Sequence, residues 1–357
     1  MKSTSPKPGE LKLVKTVSIG IFAHNEAENI LAILKNLNAQ NIFKNPEFSV
    51  KVYLLANGCS DRTVCIATDF LSNKQHSYDL NVIEIERGGK SRTWNFFVHS
   101  LVQDESGYVM FMDADIILDD PSTLDNLATF IERRSDIIGS SSLPRKNVAT
   151  EKKPSFIQKM IAAGGGTSGH NLKTAICGQL YILRATAAKR LCLPIHLPVE
   201  DGFVRHAIIT SNFSESVNES VIDQCSNVSH LYESEKTLAG LIRHQVRIVI
   251  GSAINAALFA MLIDLRKRSG PAAVSETLKL ASTDDEWLRT FLKTALPTPK
   301  YGWVPLPWLY SRTRAFVLRG PYAPKRIFVA VMGLGLDLVV YVMAQYKMAR
   351  GVGAGFW

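Results

Sequence analysis

Four apolar runs, each closed by a cluster of polar residues, set the pattern of the first third of this chain. Thr16-Val17-Ser18-Ile19-Gly20-Ile21-Phe22-Ala23 breaks at His24-Asn25-Glu26, and Val50 to Ala56 ends in Asn57-Gly58-Cys59-Ser60-Asp61-Arg62-Thr63. Asn81 to Glu86 gives way to Arg87-Gly88-Gly89-Lys90, and Tyr108 to Met112 stops at Asp113-Ala114-Asp115. Between the runs the apolar positions change period. Glu26 to Ala39 carries Ile30, Ile33, Leu34 and Leu37 at helical spacing. A second helix is predicted from Thr63 to about Ser72 and a third from Lys90 through Leu101. Continuous apolar strands alternating with helices predict an α/β fold whose central sheet is mostly parallel and covered on both faces. Right-handed crossovers then bring all four polar strand ends to one edge of that sheet.

The last third is patterned differently. Ile248 to Ile263 is an apolar run of 16 residues bounded by Asp264, Arg266, Lys267 and Arg268. As a helix it reaches about 24 Å, short of the roughly 30 Å hydrocarbon core, so a buried or interface-lying helix is expected. Ile327 to Tyr346 has 20 residues but carries Asp337 at its centre. About ten strongly apolar residues at roughly −0.5 kcal/mol each oppose about +3 for the Asp and the cost of the glycines, a near balance. A membrane span and an interfacial or packed helix both fit that sum. Between the runs lies the aromatic, proline-rich stretch Gly302 to Tyr310.

Charge sharpens this picture. The net charge is +9, and from Lys300 onward eight basic residues face a lone Asp337, leaving +7 in the last 58 residues. Basic residues interleaved with Trp, Tyr and Phe suit an anionic membrane surface or simply a solvated face. No nucleic-acid-binding signature accompanies them. The five cysteines form no C-x-x-C pair and no signal peptide is visible, which points to reduced thiols in a cytosolic setting.

Candidate chemistry lies at the polar edge. Ligands of open α/β sheets bind beyond the carboxyl ends of the strands. Asp113 and Asp115 share a face at roughly 6–7 Å, a spacing that suits a hard divalent cation and a diphosphate. Taken alone, such a pair also serves as turn or helix-capping chemistry. Glycines at 58, 88 and 89 permit close backbone approach, and Lys90 supplies a point charge.

The ordered set Ala23-His24-Asn25-Glu26, Asn57 to Thr63, Gly89-Lys90-Ser91 with Asn95, and Asp113-Ala114-Asp115 resembles the successive motifs of inverting glycosyltransferases of family 2. The resemblance covers about residues 16–250 and implies a GT-A, Rossmann-like, nucleotide-diphospho-sugar transferase fold. It implies that Ala23, Asn25, Glu26, Asn57, Asp61, Lys90 and Asp113 hold the donor. Asp115, with Asp113, would hold Mn2+ or Mg2+. It assigns a further strand to Asp136–Ser142, a glycine-rich segment to Ser155–Asn171 and an acceptor-side strand to Ala175–Arg184. Glu200-Asp201 resembles the family's Glu-Asp motif, with Asp201 the general base. Glu200, Gly178, Gln179 and Arg247 are candidate acceptor or diphosphate contacts. A helix N-terminal carboxylate pair would account for Glu200 and Asp201 as well.

Two departures stand out. Asn57 occupies a position where the family often has Asp, which leaves the nucleotide open. Arg243-His244-Gln245-Val246-Arg247-Ile248 keeps only the Arg of the Gln-x-x-Arg-Trp found in processive members. His196 and His230 are single histidines that could complete a metal shell, touch an acceptor or serve structure alone.

The expected organisation is a flexible leader (1–15), a catalytic domain (16–247, donor half to about 142 and acceptor half from about 143) and a helical, basic, aromatic C-terminal region (248–357). The expected function is sugar transfer from a nucleotide-diphospho-sugar to a hydroxyl acceptor, lipid or lipid-linked sugar among the candidates. The place would be the cytoplasmic face of the cell membrane, peripherally or monotopically, with a single C-terminal span as the other arrangement. A sugar nucleotidyltransferase shares such a sheet but calls for a Gly-rich, Arg-containing loop after the first strand, where this chain has His24-Asn25-Glu26. A non-catalytic membrane-associated partner subunit of the same fold is the remaining alternative.

Overall fold

A computed structural model describes residues 14–74, 76–147, 172–233, 235, 237–295, 302–310, 313 and 324–350. The leader, apart from Val14 and Lys15, and the glycine-rich segment up to Asn171 lie outside these residues. The central sheet has six strands. They are β1 (Lys15–Ala23), β2 (Phe48–Asn57), β3 (Asp79–Ile85), β4 (Tyr108–Asp113), β6 (Gly139–Ser141) and β8 (Leu180–Arg184). Their spatial order is β3-β2-β1-β4-β8-β6. β1 to β4 pair in parallel, while β8 runs antiparallel to both β4 and β6. The sheet is therefore mostly parallel, as the apolar runs predict. A second, three-stranded sheet was not anticipated: β5 (Ile116–Ile117), β9 (Ser229–Tyr232) and β7 (Leu143–Lys146), in the order β5-β9-β7. The predicted strand at 136–142 ends as β6, and the chain then turns into β7 of this smaller sheet.

The helices on the first half are α1 (Ile30–Leu37), α2 (Thr63–Ser72), α3 (Lys90–Phe96) and α4 (Thr123–Arg133). α3 stops five residues short of the predicted end because Phe97–Leu101 widens into a π-turn. Strand alternation sorts the core into two layers. Val17, Ile19, Ile21, Met110 and Met112 pack with α1 and α4 on one face of the sheet. Phe22, Val109 and Phe111 face the other way and meet Trp94, Phe97 and Tyr181. Phe111 stacks on Tyr181 at 4.5 Å and on Trp94 at 5.3 Å, and Trp94 Nε1 donates to the Tyr181 hydroxyl at 2.9 Å. This aromatic layer lies under the end of β4.

The C-terminal helices complete the second layer. A short helix α5 (Ala185–Ala188) follows β8. Next come α6 (Glu200–Ile209), α7 (Leu238–Ala281), α8 (Trp287–Ala295) and α9 (Pro324–Ala349). α7 bends at Gly270, where φ is 83°, just before Pro271. The run 248–263 is thus one stretch of a 44-residue element. Among the described residues α7 is the helix whose length and apolarity match a membrane span. Its apolar side, however, is inside the fold: Val246, Ile250, Ile254, Leu258 and Leu262 join the core layer that holds Phe111 and Phe203. Asn255 Nδ2 donates to the Val199 carbonyl at 2.9 Å. A side chain at Gly251 would run into Val199, so α7 lies directly against the segment leading into α6. α9 extends the predicted helix 327–346 by three residues at each end. It buries Asp337, Val340, Ala344, Gln345 and Met348, with Gln345 receiving the Trp303 amide at 3.0 Å. Its other face exposes Val331, Leu338, Val342 and Tyr346.

Candidate active site

The edge beyond β1, β2 and β4 is assembled from loops that brace one another. Asn25 takes a left-handed backbone (φ 55°), which an asparagine tolerates better than most residues. Its Oδ1 accepts from the Ser60 amide at 2.8 Å. Asp61 accepts from the Ala27 amide at 3.0 Å and the Thr63 amide at 2.9 Å. Desolvation alone would raise its pKa, but hydrogen bonds from Thr63 and Ala27 outweigh that and lower it. Asn57 is fully buried, accepts from the Gly89 amide at 2.8 Å, and its carbonyl meets His24 Nδ1 at 2.7 Å. Its Nδ2 has no hydrogen-bond partner among the described residues. Asn25, Asn57 and Asp61 thus fix the shape of the edge, while Glu26 and Asp115 line it. Burial raises the Glu26 pKa, Asn29 partly offsets this, and the Asp115 and Asp61 charges add to it.

At the centre sits Lys90. Its Nζ lies 2.7 Å from Asp113 Oδ1, 3.1 Å from Glu200 Oε1 and 3.5 Å from the Gly178 carbonyl. One ammonium therefore ties the end of β4 to the start of α6 and to the loop before β8. Burial alone would lower its pKa, but the Asp113 and Glu200 carboxylates outweigh that and hold the ammonium well above its ordinary value. Asp113 is pushed up to about 6, by burial first and then by Asp115, against the pull of Lys90.

Asp201 stands beside this hub. Its Oδ1 accepts from the Gly202 amide at 2.8 Å. A Cβ built on Gly178 would lie 2.9 Å from Asp201 Oδ2 and 3.1 Å from its Cβ, so the carboxylate fills the space that the glycine leaves. Burial and the neighbouring Glu200 charge raise its pKa, with Lys90 and Arg247 opposing. The result is a carboxylate of unusual basicity next to a fixed cation, a combination suited to general-base work. The position is separated from Asp113 by 88 residues of sequence, and only folding brings the two to one cation.

The structure thus gathers Lys90, Asp113, Gly178, Glu200 and Asp201, with Arg247 near enough to bias Asp201. Gln179 belongs to the wall: its carbonyl accepts from the Asp113 amide at 2.9 Å. His230 is fully buried, its ring nitrogens 3.0 Å from Ser142 Oγ and 3.2 Å from Gln179 Oε1. Burial lowers its pKa to about 4, so it is a neutral hydrogen-bonding group. His196 lies elsewhere, with Nε2 3.2 Å from Asp285. Sequence reading passed over Asp285 and Arg92 and took Arg87 only as part of a polar strand end; together they form a second charged cluster beside the first. Nothing local to position 285 signals that contact.

No group of three His, Cys, Asp or Glu side chains able to hold a metal exists among the described residues. Asp115 is nevertheless exposed at the edge, with Asp113 two residues away. One or two carboxylates with diphosphate oxygens from a substrate completing the shell is the usual arrangement for Mg2+, and such an open set fits these residues.

Comparison with known proteins bears on the family and the fold. The family model "Glycosyl transferase family 2" matches residues 18–191. No curated protein matches the sequence. Among solved structures, the mannosyltransferase PcManGT of Pyrobaculum calidifontis, determined with GDP-Man and Mn2+, superposes with a TM-score of 0.54 at 16% identity. The alignment covers 93% of this chain and 87% of that one. Two others are more distant. Glucosyl-3-phosphoglycerate synthase of Mycobacterium tuberculosis gives a TM-score of 0.47 at 16% identity, over 69% of this chain and 80% of that one. S. aureus TarS residues 1–349 give 0.45 at 15% identity, over 94% and 92%. At these identities the superposition speaks for the fold. Residues 18–191, just under half of this chain, match the model of glycosyl transferase family 2.

Proposed function

We propose that the protein is an inverting glycosyltransferase that moves a sugar from a nucleotide-diphospho-sugar to a hydroxyl acceptor. The observation that carries this reading is the Lys90 hub: one half-buried cation bonded to Asp113 and Glu200, with Asp201 alongside. Asp201 takes the proton of the acceptor hydroxyl as that oxygen attacks the anomeric carbon from the face opposite the diphosphate. The new C–O bond forms as the bond to the diphosphate breaks, and the electron pair leaves with the nucleoside diphosphate. Lys90 is placed to stabilise the charge developing on that leaving group. A divalent cation held by Asp115 and Asp113 would neutralise part of the diphosphate charge. The solved relative from Pyrobaculum calidifontis holds Mn2+ with its donor, which supports such a group here.

The acceptor side is the half that begins near residue 143, where Gly178, Gln179 and Glu200 line the approach to Asp201. Within it we place the acceptor hydroxyl, whether on a lipid, a lipid-linked sugar or a soluble molecule. The membrane half of the proposal rests on α9. Val331, Leu338, Val342 and Tyr346 form an exposed apolar face, 51–63% accessible. Arg350 stacks over Tyr346 at 5.5 Å at the end of that face. An apolar face edged by aromatic and basic residues suits peripheral binding to an anionic bilayer at the cytoplasmic side, where free cysteines persist.

A panel of nucleotide-diphospho-sugars tested with Mn2+ or Mg2+ for thermal stabilisation identifies the donor, because a ligand of the folded state raises stability by mass action. Transfer from that donor, lost in Asp201→Asn with donor stabilisation retained, is the expected outcome. Full transfer by a folded Asp201→Asn protein would remove the base assignment. Pyrophosphate release without sugar transfer would favour a nucleotidyltransferase instead.

A further inference from the structure

Beside the Lys90 hub lies a cationic cluster that the reaction above does not use. Arg87 leaves the end of β3, Arg92 sits in the first turn of α3, and His196 belongs to the segment before α6. All three converge on the carboxylate of Asp285, which reaches back from the connection between α7 and α8. Arg87 Nη1 is 2.8 Å from Asp285 Oδ2, Arg92 Nη2 bonds Oδ1, and His196 Nε2 lies 3.2 Å from Oδ1. The cluster opens to solvent: the side chains are 73%, 20% and 27% accessible, and Asp285 is 29%. Desolvation alone would raise the Asp285 pKa, but Arg92, Arg87 and His196 outweigh it and keep the carboxylate ionised. Burial first, with the Arg92 and Arg289 charges, lowers the His196 pKa, and Asp285 opposes them.

Several features mark this as more than a surface ion pair. Two guanidinium groups and an imidazole from three chain segments share one small anion. Arg92 Nε is buried without a hydrogen-bond partner among the described residues, so the carboxylate uses only part of the arginine fork. His196 holds a left-handed backbone at φ 72°, strain of the kind that persists where surrounding structure imposes a side-chain position. Location gives the cluster a role. Arg87 and Arg92 flank Lys90 in sequence, and His196 precedes Glu200 by four residues. The segment carrying His196 is stitched to both neighbours: Asn95 Nδ2 donates to the Leu193 carbonyl at 2.7 Å, and the Ile195 amide donates to the Ala281 carbonyl at 2.9 Å.

We propose that Arg87, Arg92 and His196 form a phosphate-binding subsite for an anionic acceptor, and that Asp285 occupies it until the phosphate group displaces it. The inference rests on the acceptor-transfer reading above and narrows the acceptor to a molecule bearing a phosphate or diphosphate. A tetrahedral phosphate offers more acceptor oxygens than a carboxylate and would engage the fork more fully. The shared chemistry has two sources, a phosphorylated lipid and a soluble phosphate ester.

Binding of inorganic pyrophosphate to the full chain, measured by calorimetry in EDTA so that no metal–diphosphate site forms, tests the subsite without any transfer. Removing the internal competitor with Asp285→Asn is expected to tighten binding about tenfold or more, since apparent affinity scales with the fraction of open site. Asp285→Asn with Arg92→Gln should return it to the wild-type value or weaker. Arg87→Ala, a change at an exposed position that leaves folding intact, should weaken it in the wild-type background. Equal binding by wild type and Asp285→Asn, or no effect of either arginine change, would overturn the proposal. Displacement of bound pyrophosphate by vesicles containing a polyprenyl phosphate assigns the lipid source, and displacement by glycerol phosphate the soluble one. Displacement by neither overturns the acceptor assignment. Because no arm depends on turnover, failure here leaves the transferase reading standing, and failure of that reading is seen separately in the donor panel.

Discussion

Gly178→Ala tests the base without touching it. A methyl at this position would lie 2.9 Å from Asp201 Oδ2, 3.1 Å from its Cβ and 3.2 Å from its Cγ. Carbon–carbon contacts settle near 3.5–4.0 Å, so the stem of Asp201 as well as its tip must retreat by about 0.5 Å. Rotation away from residue 178 also breaks the bond from the Gly202 amide, 2.8 Å long in the native arrangement. Misplacement of this order costs about 10- to 100-fold in rate when the group is the base. The global fold should be little affected, because the crowded atoms belong to a side chain rather than to backbone; a loss of about 1–2 kcal/mol is expected. The assay is transfer kinetics with the donor found in the panel, together with donor-induced thermal stabilisation and an unfolding curve. The expected pattern is a fall in kcat with donor stabilisation retained. Wild-type kcat in a folded Gly178→Ala protein would refute the argument, since the carboxylate could then move without consequence.

Three further outcomes are expected. The raised pKa of Asp201, about 6, leaves the base protonated at acid pH, so kcat/KM should fall tenfold per unit below an inflection near pH 6; Asp201→Asn should abolish that inflection along with most activity. Lys90→Met leaves Asp113 and Glu200, 19% and 11% accessible, without their cation and should cost about 3 kcal/mol of stability near pH 7.5. Asp113, already raised and now without the opposing pull of Lys90, then binds its proton more tightly in the folded than in the unfolded chain, so stability should recover as pH falls toward 5; an equal deficit at both pH values in thermal unfolding would contradict this. Leu338→Glu with Val342→Glu places charges on the exposed face of α9, at positions 51% and 55% accessible. Co-sedimentation with anionic vesicles should drop at least about tenfold with the unfolding temperature unchanged, and undiminished binding would remove α9 from the membrane contact.

Much of this sheet edge was legible because its determinants are local. Each strand announces itself by an apolar run and each ligand-side loop by the polar residues that end it, and parallel connectivity sends those ends to one edge. The motif series at Asn25, Asn57, Lys90 and Asp113 could therefore be placed before any contact was known. Their division of labour could not. Asn57 and Asp61 are engaged by the Gly89, Ala27 and Thr63 amides, a fact about neighbouring loops rather than about either residue. The length of α7 was also hidden, because Arg243, His244 and Arg247 interrupt its apolar pattern.

What the sequence by itself determined is the alternation of strands and helices and the chemistry at the end of each strand, since both follow from short-range periodicity and turn preference. What the tertiary structure alone decided is which charges meet. Lys90 reaches Glu200 across 110 residues, Gly178 makes room for Asp201, and Asp285 answers Arg92 across 193 residues. Charge pairing in a partly desolvated site depends on distances of about 3 Å, and no local pattern encodes a separation that only the folded sheet, α6 and α7 together impose.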